Sequence, residues 1–157
     1  MNIEHLQKEI YFEDEGLLRD IYVLNTNITD WKKWVDIVNE NYSVEFYNGQ
    51  TKATENKINF QAVQDYMTGK TDLLNSATIN LNGIDINCHF FTDQEIENDV
   101  DPIQIKTIED HNRLLDYLQT VSTALNKRII LTPENSRDYV LIECENGKTK
   151  ITVPNKS

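Results

Sequence analysis

Cysteine is scarce in this sequence: Cys88 and Cys144 are the only two in 157 residues. Two thiols supply neither a disulfide framework nor a cysteine-rich metal knuckle. Each lies in an apolar run, where a free cysteine behaves as a small core side chain. Long apolar runs are missing as well. No stretch approaches the roughly 20 residues that span a bilayer. The opening MNIEHLQKEI has no basic segment leading into an apolar one, so no signal peptide is expected and a cytoplasmic location is. Positive charge is also in short supply, with 15 Lys and Arg against 26 Asp and Glu and a formal net charge of −11. The imbalance is uneven: residues 1–124 hold 22 acids and 9 bases, and residues 125–157 hold 4 acids and 6 bases. Such a field repels phosphate backbones and anionic membranes, so neither is expected as a direct partner. It attracts cations, a basic protein above all. The plainer alternative is that the acidity only maintains solubility.

What is present suffices for a folded domain. Hydrophobic residues make up 39% of the chain, and a chain of this length typically buries about 68–70% of its unfolded surface. One domain over residues 1–153 is expected, with 154–157 as a frayed tail. Three Asn-Gly pairs, at 48–49, 82–83 and 146–147, each follow strand-like sequence and mark hairpins, since Asn-Gly accepts the positive φ of a type I′ turn. A further strand runs through Leu18–Leu24. Another covers Arg128–Leu131 and is broken by Pro133.

Helices are expected in three places. Thr29 or Asp30 caps one whose Trp31, Trp34, Val35 and Val38 form an apolar stripe, which puts both tryptophans in the core. A second starts near Asn59 and stops at Gly69. A third starts at Thr107, where Asp110 approximates a capping box, and presents Leu114, Leu115, Leu118, Val121 and Leu125. Residues 3–10 carry a shorter helical pattern. The fold class is therefore α+β: an antiparallel sheet built from hairpins, with about three helices packed mainly on one face.

Catalytic signatures are weak. Gly69-Lys70-Thr71 looks like the end of a phosphate loop, but position 64 is Gln rather than the required Gly, and a helix C-cap explains Gly69 better. Glu55-Asn56-Lys57 resembles part of a nuclease signature but sits in a polar linker. Asp85, Asn87 and His89 share one strand face by alternation. They are either a solvated polar face or, with nearby carboxylates, the site of a small metal-dependent hydrolase. No catalytic residue, cofactor or metal ligand is assigned.

The strongest constellation is the run Asp93, Glu95, Glu97, Asp99 and Asp101, an acid at every second position. In one extended strand these carboxylates would share a face, repeating every 6.6–6.8 Å or so. Like charges so aligned repel, and a cation relieves them. Either the run is a binding surface or it guards an exposed sheet edge against pairing; an edge that did pair would make a self-associating module. Calcium is not indicated, because the loop lacks the glycine and terminal glutamate of a calcium-binding hand. The acidic turn Glu13-Asp14-Glu15 adds Glu15 as a flanking candidate, and Tyr42, Tyr47 and Tyr66 suit a binding rim.

The segments Gly16–Val23, Asp30-Trp31, Ile96–Pro102 and Asn126–Asn135 together resemble the immunity proteins of bacterial polymorphic and contact-dependent toxin systems. The resemblance is to the group as a whole and assigns no functional residue. It implies a small acidic cytosolic protein that binds and blocks a co-encoded toxin, often a nuclease. The residues expected to meet a basic toxin domain are Asp93, Glu95, Glu97, Asp99, Asp101 and Glu15.

Overall fold

A computed structural model describes residues 2–12 and 16–152. Glu15, its neighbours in the acidic turn and the expected C-terminal tail lie outside the described residues. The chain forms α1 (Ile3–Glu9), β1 (Arg19–Leu24), α2 (Ile28–Asn41), β2 (Ser43–Asn48), β3 (Ala53–Glu55), α3 (Phe60–Met67), β4 (Ser76–Asn80), β5 (Asp85–His89), β6 (Glu95–Val100), α4 (Ile108–Leu125), β7 (Ile129–Pro133), β8 (Ile142–Glu145) and β9 (Lys148–Ile151). A short 3-10 turn, Pro102–Gln104, follows β6. The described helices number four rather than about three, because the short pattern at residues 3–10 does form one. Asn2 caps it by accepting from the His5 amide.

All nine strands join one antiparallel sheet in the order β3-β2-β4-β5-β6-β1-β7-β8-β9. Two Asn-Gly turns have the expected geometry, with φ of 57° and 104° at Asn82-Gly83 and 54° and 74° at Asn146-Gly147. The third differs. Asn48 ends β2 and its side chain accepts from the Gln50 and Thr51 amides, while Lys52 takes the positive φ. Gly49 is required for another reason: a Cβ there would lie 2.1 Å from the Leu74 carbonyl oxygen.

The helices begin at side-chain caps. Asn27, two residues before the expected Thr29, closes a capping box with Asp30, and Thr107 closes one with Asp110. Each satisfies amides that the first helical turn leaves orphaned. The helix-side core is continuous, with Trp31, Trp34, Phe46, Phe90, Ile79, Ile86, Leu118 and Val121 all fully buried. Trp31, Trp34 and Phe90 pack with ring centroids 5.4–6.0 Å apart, distances typical of favourable aromatic pairs. Cys88 and Cys144 are free and buried in this layer. On the opposite face, called the open face below, Asp20, Tyr22, Asp99, Ile130 and Thr132 are also buried, while Glu97 and His89 are half-buried and Tyr47 is exposed.

A candidate site on the open sheet face

The acidic run does not form an edge. β6 pairs with β5 on one side and β1 on the other, and it is the middle strand of the nine. Edge protection is therefore not its role. Nor do all five acids lie in the strand. Asp93 falls in the turn before β6, where its carbonyl accepts from the Thr26 hydroxyl at 2.6 Å. Asp101 lies beyond the strand and caps the 3-10 turn, accepting from the Ile103 amide at 3.1 Å. The strand ends there because Pro102 has no amide for the ladder. Glu95, Glu97 and Asp99 remain, with Ile96, Asn98 and Val100 buried on the other side.

Cross-strand register decides what surrounds them. Glu97 stands between His89 of β5 and Tyr22 of β1, and Asp99 stands between Asn87 and Asp20. The row continues outward through Ser76 to Tyr47. Asp99 accepts from Asn87 Nδ2 at 2.8 Å and is hydrogen-bonded to His89 Nε2 at 2.6 Å. Asp20 accepts from the Tyr22 hydroxyl at 2.9 Å and from the Asn135 amide at 2.8 Å. Glu95 Oε1 accepts from Arg137 Nη2 at 2.8 Å. Glu97 has no hydrogen-bond partner among the described residues.

These neighbours perturb one another. The hydrogen bond to Asp99 raises the pKa of His89 above its ordinary value, reinforced by the charges of Asp99, Glu97 and Asp20 against the opposing effect of burial. Partial burial pushes the Glu97 carboxyl up; Asp20 and Glu95 add to this, while His89 and Arg137 oppose it. Tyr22 is raised by burial and by its bond to Asp20. The face thus gathers Asp20, Glu95, Glu97 and Asp99 beside His89 and Arg137, and Glu97 is the one of these acids without a hydrogen-bond partner among the described residues.

Asp85 and His89 do not partner each other. Asp85 shares the face, but its carboxylate accepts from Asn80 Nδ2 and Gln104 Nε2. The acid that reaches His89 is Asp99, supplied by the neighbouring strand. Among the described residues, no three His, Cys, Asp or Glu side chains group so as to hold a metal ion. Of the rim tyrosines, Tyr47 is exposed on the open face, whereas Tyr42 is half-buried with its ring centroid 5.6 Å from that of Tyr117. Tyr66 lies on α3, outside the sheet. Phe91 is exposed and stacks on His89 at 5.4 Å.

Asp20, Tyr22 and Arg137 belong to the site and carry no signal as functional residues in the sequence. The alternation of Asp20 and Tyr22 with Ile21 and Val23 hints at a face. Nothing local shows that this face lies beside Glu97. Among the described residues, no helix is long and apolar enough to cross a membrane. Comparison with protein-family models, curated proteins and solved structures gave no match.

Proposed function

We propose that this chain is an immunity-type protein that binds and neutralises a basic toxin through the open face of its sheet. The observation that carries the reading is Glu97: a partly buried carboxylate without a hydrogen-bond partner, set among Asp20, Glu95 and Asp99. Grouping carboxylates in a desolvated place costs stability, and a cationic partner offsets that cost by supplying charge-assisted hydrogen bonds. Asp20 and Asp99 are already held by their own donors, which fixes the geometry of the field before any partner arrives. A rigid acidic face of this kind substitutes for phosphates in a basic groove, so nuclease toxins are the class it fits best. Binding, rather than catalysis, is the proposed activity, in the cytoplasm of a toxin-producing bacterium. The partner contacts are Glu97 first, then Glu95 and Asp99, with Asp93 and Asp101 at the two ends of the strand.

The partner to test is the basic C-terminal domain of a secreted protein encoded directly upstream. Co-production of this chain should restore growth to cells making that domain. Glu97→Gln combined with Asp99→Asn should weaken the complex by about tenfold or more, in the range measured for truncated interface charge pairs, with the fold intact by circular dichroism. Protection that survives the double substitution at unchanged affinity would remove the acidic face from consideration.

A further inference from the structure

The loop after β7 already lays a cation on the acidic face. Its base is pinned where the Asn135 amide donates to Asp20 Oδ2. Two residues on, Arg137 donates to Glu95 Oε1 and its guanidinium lies 4.8 Å from the centroid of the Tyr22 ring. A carboxylate beside an aromatic face is the standard surrounding for a guanidinium. The bond is made by one nitrogen only, and Glu95 Oε2 is buried with no hydrogen-bond partner. Oε1 is therefore the oxygen that meets the cation, and Oε2 is enclosed by the fold. The two partners also differ in exposure: the Arg137 side chain is 50% exposed and that of Glu95 17%. The cation therefore lies on the solvent side, over a largely buried carboxylate and a buried ring. An open cavity of about 320 Å³, lined in part by Leu24, Asn25 and Thr92, lies alongside.

We infer that Glu95 and the Tyr22 ring form a guanidinium subsite, occupied by Arg137 in the free protein and taken over by an arginine of the basic partner. The inference rests on the reading of the open face as the partner surface. An arginine fits better than a lysine, because a planar guanidinium can bond Glu95 Oε1 while stacking on the ring, and an ammonium has no planar face to stack. Arg137 is then a competitor held at high local concentration, and its removal strengthens binding.

The test uses an oligoarginine and an oligolysine peptide as probes, titrated calorimetrically into the full chain. Arg137→Ala should bind oligoarginine about two- to fivefold more tightly, the range set by the strength of an exposed ion pair. The gain should be smaller for oligolysine and should vanish when Glu95→Gln is added. Lys32→Ala removes an equal charge from the Lys32–Asp36 pair on α2 and should give no gain. Equal gains in Arg137→Ala and Lys32→Ala, or none in Arg137→Ala, would overturn the subsite. The acidic-face reading is judged separately: a loss of oligoarginine affinity in Glu97→Gln/Asp99→Asn sustains it. A gain in Arg137→Ala with no effect of that double substitution keeps the subsite and discards the wider face.

Discussion

At Asp99 one carboxylate holds two donors, Asn87 and His89, in a position only 7% exposed. This makes His89 a reporter of the acidic face. Its folded pKa lies above the ordinary 6.5, so its contribution to stability is complete below that pH and is lost as pH rises through the folded value. His111 behaves oppositely. It is hydrogen-bonded to the Tyr11 hydroxyl at 2.6 Å, and burial lowers its pKa from 6.5. Its contribution is present above the unfolded value and is lost as pH falls towards the folded one. Proton NMR titration should show His89 titrating above 6.5 and His111 below it. Asp99→Asn should move only His89 back towards the ordinary value. A single shared midpoint would contradict both assignments. Charge reversal at Asp99 is a poor probe of binding, since a lysine there would lose both bonds inside a nearly buried site.

At the scale of the elements, the Thr107 capping box and the three hairpins were legible because each rests on a few adjacent residues, whereas the cap of α2 falls on Asn27 rather than Thr29 or Asp30. Asn82-Gly83 and Asn146-Gly147 take positive φ as type I′ geometry requires. Asn48-Gly49 carried the same dipeptide for a different reason, a close approach to the backbone at Leu73-Leu74. Gly49→Ala should therefore destabilise the fold by about 1–3 kcal/mol, as other overpacked sites do. The urea midpoint should fall, and the amide resonances of Leu74 and Asn75 should shift. An unchanged midpoint would show that the two segments can separate freely. The acidic run shows the other limit of local pattern. Alternation at positions 93–101 correctly placed Glu95, Glu97 and Asp99 on one face, but the strand is shorter than the alternation, and Asp93 and Asp101 fall in the turns at its two ends.

At the scale of the whole molecule, the charge imbalance becomes a directional field. The residues up to 124 carry 22 acids and 9 bases, and the open face gathers several of those acids at the middle of the sheet. Association with a basic partner should then be steered electrostatically. Stopped-flow measurements between low and high salt should show the association rate falling by about tenfold or more while dissociation changes little. A salt-independent association rate would mean that the field does not guide the encounter. The sequence by itself determined the cap at Thr107, the buried helix stripes, the positions of the hairpins and the excess of acid, because these depend on residues near one another along the chain. Only the tertiary structure decided that β1 inserts between β6 and β7. That insertion turns the acidic strand from an edge into the centre, sets Tyr22 and Asp20 beside Glu97 and Asp99, and brings Arg137 onto Glu95. Strand order is fixed by long-range burial of whole faces, and no local spacing of residues records it.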